Sequence, residues 1–349
     1  MFLNCFRVVL VAALICLSAI LAFPRPLIAS GDLLCSTFPI YLFTKNITEG
    51  RDVFKTDLLV SGAQGCPHDY APTPAELERL SQANVLIING LGLEGFLSQA
   101  LKVAKPGLRI VDASGQGLSL DSRLPTGGQL AISSSAEAGL DMGSPPDLFL
   151  TRDDLIGKSR LHHHDGPNPH LFAAPGSAVM QIGRIAEALA ALDPAGAEVY
   201  RANAARLIDD LRRIANSFAA AGRELGNPKV IVSHGVFDFL AQDMGLHIVA
   251  SIEEEDGADP SAARLAELVA VAKEQEVKAI LVDPQGNINM ARALGAETKI
   301  PVAVIDTVAS GPADAPLEYY QGVMLTDLDV LVKLFTAPPK SASGKTGKK

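Results

Sequence analysis

The feature that most constrains the fold is a rhythm. Beyond residue 30 the chain alternates short apolar runs with longer amphipathic stretches. "GDLLCSTFPI", "TDLLVSG", "NVLIING" and "LRIVDAS" read as strands, and "IYLFTKNITEG" and the stretch after Thr73 read as the helices between them. Strands separated by helices of about ten or more residues form parallel βαβ units. Thr73, Pro74 and Glu76 have the spacing of an N-cap, a first-turn proline and a capping-box acid. The rhythm returns later in "KVIVSHG", "VFDFLAQDMG", "LHIVASI", "KAILVDPQ" and "PVAVIDT", with a helix expected to start at Asp259–Pro260 and a last one over 315–336. "PTPAELERLSQANVLIING" and "DPSAARLAELVAVAKEQEVKAILVDP" repeat one plan, which implies two similar α/β lobes.

A helix resumes over about Pro175–Leu192 at the end of the first lobe, and "DPAGAEVYRANAARLIDDLRRIANSFAAAGRELG" follows it. Its periodicity predicts one helix of about 28 residues, close to 40 Å long, which suits a rigid rod joining two lobes. The expected organisation is an N-terminal α/β lobe over 31–192 with a mobile loop at 115–168, a linking helix over 193–225, a C-terminal α/β lobe over 226–338 and a disordered basic tail over 339–349.

Residues 1–30 read as an export signal. Arg7 precedes "VVLVAALICLSAILAF", an uncharged apolar run too short to span a bilayer, and "PRPLIAS" breaks it, so cleavage is expected around 22–30; an uncleaved anchor is the alternative. The remaining chain is expected to be soluble and periplasmic. The net charge is −9, and the signal segment holds Arg7 and Arg25, so the rest is more acidic still. That balance argues against nucleic-acid binding, which needs a basic face. Cys35 and Cys66 remain after cleavage, at or near strand ends, in an oxidising compartment; a Cys35–Cys66 disulfide is expected, against the alternative of two free thiols with one buried.

Seven histidines remain to be placed. His68 follows the second strand in "GCPHDY", His234 ends "KVIVSH", and His170 ends the loop in "PNPH". Parallel sheets bind ligands at the carboxyl ends of their strands. His68 and His234 therefore point to the crevice between the lobes, and neutral imidazole is the commonest ligand for transition metals. Three imidazoles need a fourth partner, for which Asp283 and Asp306 at strand ends are candidates; Asp283 reads as a cap or supporting group rather than a ligand. His247 in "GLHIV" reads as a surface or half-buried residue.

"CSTFPIY", "PHDYAPTPAELERLSQANVLIINGLGLEGFL", "NPHLFAAP", "VIVSHGVFDFLA", "DPSAARLAELV", "VDPQ" and "VIDTVASGPADAP", in this order over about 32–336, resemble the substrate-binding proteins of zinc and manganese ABC transporters. The resemblance implies two α/β lobes with parallel sheets, one long rigid helix, and a metal site in the interlobe cleft built from His68, His170, His234 and Asp306. Three imidazoles and one carboxylate resemble the zinc type more than the manganese type. The implied function is capture of Zn²⁺ in the periplasm by a monomer and delivery to a membrane permease, with no catalysis. Capture of manganese or iron by the same fold is the alternative. A metallohydrolase using a three-histidine zinc lacks support, since no "HExxH" is present. Zinc-type members often carry a histidine-rich loop between the second and third motifs; His162, His163 and His164 fall there, as an auxiliary metal site or as a plain solvated loop.

Overall fold

The computed structural model describes residues 31–62, 70–115, 149–155, 167–253 and 261–336. The expected export signal, Cys66, His68, His162 to His164, most of the 115–168 loop and the basic tail lie outside the described residues.

Two parallel four-stranded sheets form the frame. The first contains β1 (Gly31–Cys35), β2 (Phe54–Leu58), β3 (Val85–Ile88) and β4 (Arg109–Asp112) in the order β2-β1-β3-β4. The second contains β5 (Lys229–Val232), β6 (His247–Ser251), β7 (Ala279–Val282) and β8 (Val302–Val304) in the order β6-β5-β7-β8. The two orders are the same pattern, as the repeated sequence plan predicts. In register, Leu33 lies opposite Thr56 on one side and Val85 on the other, and Ile231 lies opposite Ile280. In each sheet the chain leaves the first strand in one direction and returns to the other side of it. This reversal opens a crevice at the strand C-termini beside β1 and β5.

The helices longer than one turn are α1 (Phe38–Thr48), α2 (Pro74–Gln82), α3 (Pro175–Leu192), α4 (Ala197–Leu225), α5 (Asp238–Met244), α6 (Ala262–Glu274), α7 (Ile288–Thr298) and α8 (Tyr319–Thr336). The capping box of α2 forms as expected: the Glu76 N–H donates to Thr73, and the Thr73 N–H donates to Glu76. The long helix α4 has 29 residues and stops at Gly226, which adopts the left-handed conformation at φ 74°. Its inward face, Tyr200, Ala204, Leu207, Leu211, Ile214, Phe218 and Gly222, repeats at three- and four-residue steps. It packs on α1 and α3 from the first half and on α5 and α8 from the second. One apolar cluster runs from Leu33 and Val85 in the first sheet, through α3 and α4, to Val232 and Leu281 in the second.

Several boundaries differ from the expectations. "STFPI" leaves the strand at Cys35 and enters α1 at Phe38, because Pro39 fits the first turn of a helix and not a strand interior. Helix α6 is capped by Ser261, whose oxygen accepts from the Arg264 N–H, and not by Asp259. Helix α7 was not anticipated; Asn287 caps it through the Met290 N–H. The long loop is not featureless: Leu150 makes an antiparallel bridge with Ile110, and the Arg152 guanidinium donates to the Ala104 carbonyl. Cys35 is a free, fully buried thiol, which corrects the expected bridge to Cys66. It ends β1 but faces the core, and burial pushes its pKa up to about 12. No helix among the described residues is long and apolar enough to cross a membrane.

The two halves are fastened to one another beside the crevice. The Lys45 ammonium donates to the Ala315 carbonyl at 3.0 Å, Asn46 to the Leu317 carbonyl at 2.9 Å, and the Gly311 N–H to the Gly62 carbonyl at 2.8 Å. Phe38 meets Tyr319 edge to face at 5.7 Å, and Phe43 meets Tyr320 at 5.1 Å. Asp243 of α5 accepts from the Gly176 N–H at the start of α3 at 2.7 Å. These contacts hold the segment after β8 and the start of α3 against the opposite half.

Candidate metal centre

The two expected histidine ligands that fall within the described residues, His170 and His234, arrive at the same place. His234 follows β5 in extended backbone, and its Nδ1 accepts the Val236 N–H at 3.1 Å, which begins the short turn Gly235–Phe237. His170 begins the turn Leu171–Ala173 and is 5% exposed. Its ring meets the edge of Phe172, with centres 5.9 Å apart. The His170 and His234 ring centres lie 5.5 Å apart. Two imidazoles on one tetrahedral zinc, with bonds near 2.1 Å, place their ring centres about 5 Å apart. The observed spacing suits a shared ion.

The carboxylates are arranged unequally. Asp283 directly follows β7, the strand next to β5, and its Oδ1 lies 3.4 Å from His234 Nε2. The Ser233 hydroxyl donates to the same oxygen at 2.7 Å, and the Gln285 N–H reaches Oδ2 at 3.2 Å. Burial works against the charge on Asp283, but His234 and Ser233 outweigh it and hold its pKa below the ordinary carboxylate value. Burial likewise works against a charged His234, while Asp283, Glu253 and Asp238 outweigh it and raise the imidazole pKa. Asp283, expected as a cap or supporting group, is the carboxylate that His234 faces.

Asp306 stands two residues beyond β8. Its Oδ1 accepts the Val308 N–H at 2.9 Å, and its own N–H donates to Asp327 Oδ1 at 3.3 Å. Val308 takes a left-handed backbone at φ 59°, an uncommon state for a β-branched residue. Burial, with Asp283 nearby, raises the Asp306 pKa. Asp327 is 4% exposed, one of its oxygens has no hydrogen-bond partner, and burial pushes its pKa up to about 8. Asp306 and Asp327 also line an open depression of about 480 Å³ with Glu318, Tyr319 and Thr326.

Among the described residues, no three of His, Cys, Asp or Glu enclose an ion. The structure brings His170 to His234 and His234 to Asp283. Asp306 joins them through electrostatic coupling to Asp283 and not by contact. His68, the expected third imidazole, lies at 63–69, outside the described residues, as do His162, His163 and His164. His247 is exposed on β6. Two residues that were not singled out from the sequence complete the surroundings, Ser233 on Asp283 and Asn168 on His170.

Two doubly wound lobes with imidazoles and carboxylates gathered where they meet define a cleft-type solute-binding protein. The family described as "Zinc-uptake complex component A periplasmic" (ZnuA) matches residues 33–334, and the chain belongs to this family. The zinc-binding lipoprotein AdcA of Streptococcus pneumoniae is 26% identical over 307 residues, covering 87% of this chain and 56% of that protein. The chain thus spans about half the length of the AdcA relatives, 48% to 56%. The high-affinity zinc uptake system protein ZnuA of Bacillus subtilis is 25% identical over 297 residues, covering 84% of each. Among solved structures, a ZnuA deletion mutant with zinc bound is 26% identical, with TM-score 0.65 over 88% of this chain and 99% of that one. The solute-binding protein FpvC from Pseudomonas aeruginosa, in complex with Mn²⁺, shares the fold at 21% identity, with TM-score 0.66 over 87% of this chain and 97% of that one.

Proposed function

We propose that this protein captures Zn²⁺ outside the cytoplasmic membrane and presents it to the permease of an ABC transporter. The observation that carries the reading is the 5.5 Å approach of the His170 and His234 rings at the mouth of the two sheets. Family membership and the zinc-binding relatives support the same cargo. The ligands are His68, His170, His234 and Asp306, with Asp283 as the charge that faces His234. Three imidazoles favour zinc over manganese. A fully ligated site suits capture, whereas a catalytic zinc keeps one position open for water. The protein is exported, acts as a monomer in the periplasm and performs no chemistry on its cargo. His162 to His164 serve as a weaker collecting site near the cleft.

The test is metal stoichiometry by mass spectrometry and zinc affinity by competition with a chromophoric chelator. One zinc per chain is expected. His68→Ala, His170→Ala, His234→Ala and Asp306→Ala should each weaken binding beyond the roughly 10–100-fold typical of losing an outer partner. Wild-type affinity in both His170→Ala and His234→Ala would remove the reading. Equal retention of manganese over zinc would move the cargo to the alternative.

A further inference from the structure

The polar contacts around Asn168 point to a role that goes beyond packing. Its Oδ1 accepts the His170 backbone N–H at 2.9 Å and faces the His170 ring Nδ1 at 2.8 Å. Its Nδ2 faces the Gly235 carbonyl at 2.7 Å and Asp238 Oδ2 at 2.8 Å. These partners fix the orientation of the amide. A backbone N–H can only donate, so the atom facing it is the oxygen. A carbonyl and a carboxylate accept, so the atom facing them is the NH₂. With its oxygen turned to His170, the amide can meet Nδ1 only as an acceptor. The ring must therefore carry its proton on Nδ1, which leaves the lone pair on Nε2.

The same amide spans the two halves. Gly235 and Asp238 belong to the turn and helix that follow His234, so one side chain sets His170 and ties it to the element bearing His234. On the other side, Asn89 Nδ2 holds the Pro169 carbonyl at 2.8 Å. Asn89 is itself held by Gln181 at 2.8 Å, and its backbone N–H donates to Glu94 at 2.6 Å. His170 is thus gripped at the carbonyl before it, at its own N–H and at its ring.

We infer that Asn168 is the positioning residue of the zinc site: it fixes His170 as the Nδ1–H tautomer, turns Nε2 toward the cleft and couples its placement to that of His234. Outer partners of this kind orient ligating histidines and tune metal affinity. The inference rests on the zinc-capture reading for its consequence, though not for its geometry.

Nitrogen-15 NMR of the ring nitrogens in metal-free protein at neutral pH reads the tautomer directly, and chelator competition reads zinc affinity. In the wild type, His170 should show an N–H-bearing Nδ1 and a lone-pair Nε2. Asn168→Ala should shift the ring toward the Nε2–H form and weaken zinc binding roughly 10–100-fold. Asn168→Asp keeps an acceptor at Nδ1, so the tautomer should persist, but its second oxygen would face the Gly235 carbonyl and the Asp238 carboxylate without a proton to share, so the affinity should still fall, within roughly the same 10–100-fold range. A purely structural role would leave the tautomer unmoved. The inference is overturned if wild-type His170 is protonated at Nε2, or if Asn168→Ala keeps both tautomer and affinity. The wild-type spectrum decides the first point even if a variant does not fold. If the tautomer follows this pattern and the wild-type chain binds no zinc, the capture reading falls and the orienting role of Asn168 stands.

Discussion

The same substitution, glycine to alanine, should have opposite effects in two helices of this protein. Gly222 lies inside α4, where it faces the last residue of α5. A Cβ at Gly222 would lie 2.7 Å from the Met244 carbonyl carbon and closer still to its oxygen. An ordinary contact begins at 3.4 Å, and the carbonyl oxygen, nearer than the carbon, sets the retreat required of the end of α5 at well over ~0.7 Å. The obstructing atoms are backbone, and Gly245 and Leu246 directly behind them are fixed to Gln242 and Ala241. Overpacking of this kind costs about 1–3 kcal/mol, and the upper part of that range applies where no side chain can turn aside. Alanine regains about 1 kcal/mol of helix propensity. Gly222→Ala should therefore destabilise by about 1–2 kcal/mol, lowering Tm by roughly 2–8 °C. Gly322 in α8 is exposed, and a Cβ there meets nothing within 4 Å. Gly322→Ala should stabilise by up to about 1 kcal/mol. Thermal unfolding followed by circular dichroism measures both. A Gly222→Ala protein as stable as wild type, or shifted in the same direction as Gly322→Ala, would refute the close approach of α4 to α5.

Two carboxylates should give stability opposite dependences on pH. Burial raises the Glu94 pKa from 4.5 to about 7. Its contribution is present below the unfolded value and fades as pH rises through about 7, so wild-type protein should lose stability across that interval and Glu94→Gln should lose less; urea titrations at several pH values would show parallel curves if this is wrong. Arg51 and the Tyr200 hydroxyl hold the Asp193 pKa below its ordinary value of 3.8. Its contribution is present above that value and disappears as pH falls below it, so Asp193→Asn should lower Tm by a few degrees at pH 7 and converge with wild type in acid; a constant gap would contradict the pairing. Asp243 is raised to about 6 by burial and caps α3 through Gly176. Asp243→Ala should lower stability and weaken zinc binding together, because α3 begins just after His170; unchanged affinity beside a lowered Tm would separate the two.

What could be read before folding was mostly local. The Thr73–Glu76 box needs four consecutive residues, and it forms as predicted. The bounds of α3 and the stop of α4 at Gly226 follow from proline, periodicity and a left-handed glycine. The matching sheet orders were legible because each half repeats one plan. The misses came from competition between local signals or from distance. Pro39 could end a strand or open a helix, and only tertiary packing decides. Asp283 was legible as a strand-end carboxylate near the site, but that it meets His234 depends on β7 lying beside β5, a pairing that no spacing along the chain reveals. Asn168 stands in a run of glycine and proline that signals a loop, and its partners Gly235 and Asp238 lie 67 and 70 residues away. Cys35 read as a strand-end thiol ready to pair, yet it faces the core.

The unbroken apolar mass shared by the two sheets bears on how cargo leaves. Swinging the halves apart would wet the flanks of α3 and α4 and strip Phe38 and Phe43 from their tyrosines. So the grip should loosen one finger at a time: a short stretch of backbone lets go while the palm stays shut. A permease docking on such a protein would need to tug at a single strap, and the empty carrier would keep nearly the silhouette of the laden one.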